Sequence, residues 1–314
     1  MKLDIAYSKL KIFYYTATEA SFKKAAARLF VTEGAISQQI KDLEMRLGKR
    51  LFERSNRRVK LTQDGMNLFH LAAPMIEKFE NIADEFEKMS GTLRGNVNIV
   101  SFGAMLVNVL PKYLLDFRKQ YPECEIFLFS AGGKALESMI LSGNVDFGVG
   151  SVDDLPDGIV GTEVWKYRRY FIAPLNHPFM RKKTFSFRDI AEVAIVAPNR
   201  TSQSGGRFFQ MIERHNPHPK VTVEAGEWEV VMKYVEMGFG VSVLPEIMLP
   251  AGKNRSLFIR DLNEIDPTTG PSRYGVLVKK GKYLPPVARE LIKLLCPTFD
   301  FAAFDKTNAW NSPI

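Results

Sequence analysis

Cysteine is scarce in this chain of 314 residues: only Cys124 and Cys296 occur, far apart. There is no CxxC pair, which excludes a disulfide framework and a cysteine-built zinc site. Histidine is almost as rare, at positions 70, 177, 215 and 218. His215 and His218 flank two residues, one a proline, with no third ligand nearby in sequence, so no metal site is expected. GxSxG, HExxH, Walker A and GxGxxG motifs are all missing. The glycine-containing SQSGGR at 202–207 lacks the lysine of a phosphate-binding loop. No catalytic residue is assigned, and no enzyme or cofactor is expected. No apolar run approaches the roughly 20 residues of a membrane span, so a membrane partner is not expected. The opening MKLDIAYSKLKIFYY holds no apolar core long enough for a signal peptide. The expectation is a cytoplasmic protein.

What is present is unevenly placed. The formal net charge is +8, and residues 1–60 alone hold 14 Lys or Arg against 6 Asp or Glu. The remaining residues carry equal numbers of each sign. A basic block beside a neutral body points to a polyanion contact made by one end.

Helical spacing in that basic end predicts three short helices. Leu10, Phe13, Tyr14 and Ala17 share a face over SKLKIFYYTAT. Ser21 can cap FKKAAARLF, whose inner face is Phe22, Ala25, Ala26 and Leu29, the alanines permitting close helix approach. Phe30 and Val31 form a turn, and Thr32 caps the third helix. Glu33 sits in the first turn, where the helix dipole favours negative charge. Gly48 supplies the stop. In the third helix Ile36, Ile40, Leu43 and Leu47 lie on one side. Gly34, Ser37, Gln38 and Lys41 lie opposite, with Gln39 on a flank. In RLFERSNRRVKLT, Leu51, Phe52, Val59 and Leu61 can pack inward around a Ser55-Asn56 turn. That reads as a two-stranded wing carrying Arg54, Arg57, Arg58 and Lys60. A winged helix-turn-helix sets its third helix in the major groove and its wing along the backbone or minor groove. Lysine and arginine meet phosphates, whereas amides and hydroxyls read base edges. Gln38 and Ser37 are therefore the candidate readers, with Gln39 as a third. Glu33 would accept from cytosine N4 if it enters the groove.

A long run here resembles the LysR-type transcriptional regulators. It includes Phe13, Ser21-Phe22, Ala25-Ala26, Leu29, Ser37, Ile40, Leu43-Glu44, Leu47-Gly48, Leu51-Phe52-Glu53-Arg54, Leu61-Thr62 and Gly65. The resemblance implies base contacts from the first half of the third helix, at Thr32, Glu33, Gly34, Ser37 and Gln38, and a minor-groove contact from Arg57. Two positions depart from the family pattern: Glu33 stands where Gln is common, and Gln38 where Arg is common. The operator sequence therefore cannot be borrowed from relatives.

Beyond Thr62, a cap, a further helix is expected. Leu68, Met75, Ile82 and Met89 recur every seven residues, as do Ala72, Phe79, Phe86 and Leu93, offset by four. This seam argues for pairing with a second copy, and the family resemblance implies that the helix dimerises. Pro74 removes one backbone bond within it.

From Gly95 the pattern alternates strands with helices, which implies parallel sheets with helices on their faces. VNIVSF, CEIFLFS, DFGVGS, FIAPL, AIVAP, VTVEA, GVSVLP and YGVLVKK read as strands. MILSGNVDFGVG and VEMGFGVSVLPE resemble segments of the family's two-lobed effector domain, similar to type II periplasmic binding proteins. Ligands of open α/β sheets sit beyond strand carboxyl ends, near helix N-termini. The cleft candidates are thus Ser101, Phe102, Gly103, Ser130, Ala131 and Gly132 on one lobe, facing Thr201, Ser202 and Gln203 on the other. Trp228 is a further candidate. Their chemistry suits a small anion or polar metabolite. Arg200 and Arg207 can pair a carboxylate or lie on the surface.

The expected architecture is α/β with an all-α-rich N-terminal domain. It comprises a winged helix-turn-helix at 1–61, a linker helix at 62–92, an effector domain at 93–300 and a tail at 301–314. The effector lobes take 95–165 with 268–300, and 166–267. The expected function is a sequence-specific DNA-binding transcription regulator under a small-molecule effector. Its partners would be double-stranded DNA and itself, as a homodimer or homotetramer. The alternatives are a cytoplasmic solute-binding or enzymatic domain with an incidental basic module, and a ligand-independent architectural DNA-binder.

Overall fold

The computed structural model describes residues 5–53, 59–80, 82, 86, 93–249 and 256–308. The chain divides into two compact units: residues 1–93 with 280–286 and 300–314, and residues 94–279 with 287–299.

In the first unit, α1 (Tyr7–Glu19), α2 (Phe22–Leu29) and α3 (Glu33–Leu47) form around one core. Local chemistry starts and stops each. Ser21 Oγ accepts from Lys24 N and Thr32 Oγ1 from Ala35 N, both at 3.2 Å. Such caps satisfy backbone donors that a helix leaves unpaired. Gly48 ends α3 in the left-handed conformation, φ 63°. Phe30 adopts the same conformation between α2 and α3, and Val31 N donates back to Ala26 O at 3.0 Å. The core comprises Phe13, Ala26, Ile36, Ile40, Leu43, Leu51 and Phe52. The wing's base is an antiparallel bridge, Phe52 to Leu61, with Glu53 N donating to Lys60 O at 2.9 Å. The wing tip, with Arg54, Arg57 and Arg58, lies outside the described residues.

The next helix, α4, covers Gln63–Glu80 with Pro74 inside it. Two of its faces have different fates. Ala72 and Ile76 are buried, and Leu68 packs on the core. Met75 and Phe79 on α4, and the helical residues Ile82 and Phe86 beyond it, are each between 55% and 71% exposed. The expected seam thus divides: Leu68 and Ala72 serve their own domain, Met75, Phe79, Ile82 and Phe86 form an exposed apolar stripe, and Leu93 at the far end is buried. Met89 lies outside the described residues.

The second unit contains β1 (Gly95–Ser101), α5 (Gly103–Asn108), α6 (Leu110–Gln120), β2 (Cys124–Ser130), α7 (Gly133–Ser142), β3 (Phe147–Ser151), β4 (Ile159–Tyr167) and β5 (Arg169–Pro174). It continues through α8 (Phe187–Ala191), β6 (Ile195–Pro198), α9 (Gln203–Glu213), β7 (Val221–Ala225), α10 (Trp228–Glu236), β8 (Ser242–Pro245), β9 (Leu257–Asp261), β10 (Ser272–Lys279) and most of α11 (Pro286–Leu295). The first lobe is a five-stranded sheet ordered β2-β1-β3-β10-β4. The second contains β8-β5-β9 and the parallel pair β6-β7, joined by a bridge from Ile195 to Val241.

The parallel pairing expected from the alternation is present in β2-β1-β3 and β6-β7, and the sheets also hold antiparallel strands. β10 runs antiparallel to both β3 and β4, and β5 antiparallel to β8 and β9. The chain leaves the first lobe after β4 and returns through β10, so these two strands must enter the sheet in opposite senses. Two strands, β4 and β9, go beyond the sequence reading. Both are half-exposed, and β4 is interrupted by Gly161, Glu163 and Lys166. A last helix, α12 (Phe301–Asn308), takes up the first part of the expected tail and buries Phe304. Residues 280–286 group with the first unit, where Tyr283 N donates to Glu77 Oε2 at 3.2 Å.

Gly65, in the first turn of α4, touches the wing. A Cβ there would stand 2.0 Å from Leu51 O, a backbone atom with no room to yield. Gly65→Ala should therefore destabilise the protein by roughly 1–3 kcal/mol, the usual cost of overpacking. Urea denaturation followed by circular dichroism measures it.

Candidate nucleic-acid interface and ligand cleft

α3 offers one clean polar face. Ile36, Ile40 and Leu43 are buried, so the helix cannot roll without exposing them. Glu33, Gly34, Gln38 and Lys41 are exposed, while Ser37 and Gln39 are half-buried. Thr32 is exposed as well, but its hydroxyl is committed to the cap. A Cβ at Gly34 would meet nothing within 4 Å, so backbone lies bare to solvent there. Gln38 is oriented by its own helix: Nε2 donates to Asp42 Oδ1 at 2.9 Å. Lys9 Nζ lies 3.2 Å from the other oxygen. Lys9 first, then Gln38, hold the Asp42 carboxyl below its ordinary range. Lys23, Lys24, Lys49 and Arg50 are also exposed in this unit. Glu44, which belongs to the matching run but had no role assigned there, is structural. Its Oε1 accepts from Leu51 N at 2.7 Å and Phe52 N at 3.3 Å, buckling α3 to the wing.

In the second unit a cavity of about 480 Å³ opens between the lobes. Phe102, Gly103, Ser130, Ala131, Gly132, Thr201, Ser202 and Trp228 all line it. Ser101 does not. Its hydroxyl is fully buried and donates to Val149 O at 2.6 Å. As the last residue of β1 it is paired on both sides, to Ser130 and Val149, and belongs to the sheet interior. Gln203 begins α9, and its side chain lies outside the described residues.

The lining hydroxyls differ in availability. Thr201 Oγ1 donates to Asn199 Oδ1 at 2.7 Å. Ser202 Oγ donates to Asn199 O at 2.7 Å and accepts from Gly205 N at 3.0 Å. Both are engaged in the loop. Ser130 is exposed, and its hydroxyl has no hydrogen-bond partner among the described residues. Four helices, α5, α7, α9 and α10, begin at the cavity. Only α9 has a side-chain cap; Phe102, Gly132 and Glu227 provide none for the other three. Uncapped N–H groups and the positive ends of helix dipoles thus face one space.

Asn199, Glu229 and Tyr274 also line the cavity without having been singled out in sequence. Tyr274 reaches it through a bulge. The β4–β10 register shifts at Tyr274/Gly275, and a Cβ on Gly275 would lie 1.8 Å from Thr162 O. The Tyr-Gly pair in SRYGVLVKK was the available signal. Burial pushes the Tyr274 hydroxyl up to about 12, so it stays protonated. No group of three or more metal-binding side chains exists among the described residues, and no described helix is long and apolar enough to cross a membrane.

Comparison with known proteins agrees at both ends. Residues 7–66 match the family described as bacterial regulatory helix-turn-helix protein, lysR family, and residues 90–299 match the LysR substrate binding domain. HTH-type transcriptional regulator SsuR of Burkholderia cenocepacia is 25% identical over 272 residues, covering 86% of this chain and 87% of that protein. HTH-type transcriptional activator IlvY of Haemophilus influenzae is 25% identical over 295 residues, covering 92% and 99%. Full-length OxyR from Pseudomonas aeruginosa shares the fold with a TM-score of 0.70 at 18% identity, over 93% of this chain and 96% of that one. Full-length CbnR, solved with its target DNA, shares it with a TM-score of 0.55 at 18% identity, over 94% and 100%. The helix-turn-helix, the two-lobed body and these matches agree: the chain belongs to the LysR family of bacterial transcription regulators.

Proposed function

We propose that this protein is a ligand-responsive regulator that reads double-stranded DNA through α3 and answers to a small anion or polar metabolite between its lobes. The outward face of α3 carries the reading. Its three buried aliphatic residues hold Gly34, Ser37 and Gln38 toward solvent in a unit rich in exposed cations. A glutamine amide can donate and accept at adenine N6/N7, while the cations supply affinity without sequence preference. Arg54, Arg57 and Arg58 are proposed to anchor the wing in the same way.

DNA would be bound by a homodimer or a dimer of dimers. The exposed stripe of Met75, Phe79, Ile82 and Phe86 repeats at intervals of four, three and four residues, the spacing of a helix-pairing seam. A second copy covers that apolar surface and brings two reading helices to two half-sites. The effector acts by binding two lobe arrangements unequally, with a coupling of about 1–3 kcal/mol, the common allosteric range. No catalytic step belongs to this reading, and the place of action is the cytoplasm, with the DNA.

The test is a mobility shift with promoter DNA from beside the protein's own gene. Retention against excess bulk DNA is expected, and no preference over bulk DNA sinks the proposal. Gln38→Ala should lose roughly 1–3 kcal/mol on the cognate site and little on random DNA. Gly34→Leu should leave the melting temperature unchanged or raised, because the site is open and leucine is the better helix former. Its affinity should fall on both kinds of DNA, since the added side chain blocks approach. Ile82→Glu should keep the fold but sediment as a monomer. A dimer persisting at micromolar concentration would remove the stripe from the interface.

A further inference from the structure

The two arginines that sequence reading set beside the cleft are consumed by the protein's own carboxylates. Arg200 Nη1 donates to Glu213 Oε1 at 2.6 Å, and its guanidinium lies 3.5 Å from the centre of the Phe209 ring. Arg207 is bound to Asp153 and, at 2.6 Å, to Asp154. A third arginine is differently placed. Arg169, the first residue of β5, is half-buried, and its Nε donates to Ser272 Oγ at 3.0 Å. Among the described residues no carboxylate lies within ion-pair distance of it, and its two terminal nitrogens have no hydrogen-bond partner. It lines a recess of about 40 Å³ that shares Ser151, Trp228 and Tyr274 with the larger cavity.

We infer that Arg169 is the carboxylate-binding residue of the ligand cleft, and that the effector is a small carboxylic acid. The carboxylate enters the recess and the rest of the molecule occupies the larger cavity. The inference rests on reading that cavity as the effector site.

Size and chemistry agree. A water needs about 10–15 Å³ of such cavity volume, so the recess has room for a carboxylate group. A guanidinium offers two parallel donors that match a carboxylate, and such charge-assisted bonds are the strong ones. Tyr274, kept protonated by burial, can add a third donor. Asp153 also lines the recess, but Arg207 and Arg273 both hold it. Burial, reinforced by the charge of Arg207 and partly offset by Tyr274 and Asp153, lowers the Arg169 pKa, as expected of a desolvated cation. Position matters too. Arg169 follows the crossover from β4 to β5, and Ser272 opens β10, the return strand. Their hydrogen bond ties both connections between the lobes, so an anion on Arg169 bears directly on the hinge.

The test uses the full chain with formate and acetate as probes, set against formamide, acetamide and chloride at equal ionic strength. Both carboxylates should raise the melting temperature of the wild type, with the amides and chloride inert. Arg169→Gln should weaken formate binding roughly tenfold or more, the loss expected for a hydrogen bond between charged groups. Arg169→Lys keeps the charge but not the fork, so it should fall between the two. It also decides the question if the glutamine variant does not fold. Formate indistinguishable from chloride, or an unchanged response in either variant, overturns the assignment. The wider reading is scored separately: carboxylate binding that never alters DNA retention would leave Arg169 standing and remove the regulatory role.

Discussion

The packing of one side of α3 decides what the N-terminal unit can do. Ile36, Ile40 and Leu43 enter a core with Phe13 of α1 and Ala26 of α2. Burying each such aliphatic chain is worth about 1.5–3 kcal/mol. Rolling the helix would forfeit all three, so its outward face is set by its inward one. Ala25 and Ala26 allow the close approach of α2, and Glu44 fastens the far half of α3 to the strand that begins the wing. The outward face is therefore preorganised by the core. On the proposed reading, Gln38 would need only to exchange its bond to Asp42 for one to a base.

Features that depend on neighbours in sequence were legible. Ser21, Thr32 and Gly48 cap or stop their helices through their own side chain or backbone, and no distant partner is required. The alternation of the body also announced two lobes. What failed was whatever depends on distant pairing. β4 was overlooked because its burial pattern makes sense only beside β10, its antiparallel neighbour from the far end of the lobe. Ser101 was assigned to the cleft by its position after a strand. Pairing on both flanks turns its hydroxyl into the sheet. Arg169 was invisible for the same reason. Which arginine lacks a carboxylate can be known only once the fold has brought Asp153, Asp154 and Glu213 to the others.

Charge is divided unevenly along the chain. The basic excess belongs to the first sixty residues, and the rest is balanced. Within the body, arginines are matched locally: Arg200 with Glu213, Arg207 with Asp153 and Asp154, Arg168 with Asp261. The more exposed of these, such as Arg200 with Glu213, add little stability. Their consequence is electrostatic: with residues 61–314 balanced overall, the strongest basic field that steers association comes from the N-terminal end.

The same reasoning explains how a small ligand gains leverage over the body. A ligand shifts an equilibrium only by the difference between its affinities for the two states. Contacts confined to one lobe would give no such difference. Here α5 and α7 begin on one side of the cavity, and α9 and α10 on the other. Each helix start carries roughly half a positive charge. Without an anion those ends repel, and the repulsion grows as the lobes approach. On the proposed reading, a carboxylate between them would change the sign of the interaction, so its binding energy would rise with closure and the cleft's affinity and geometry would be one variable.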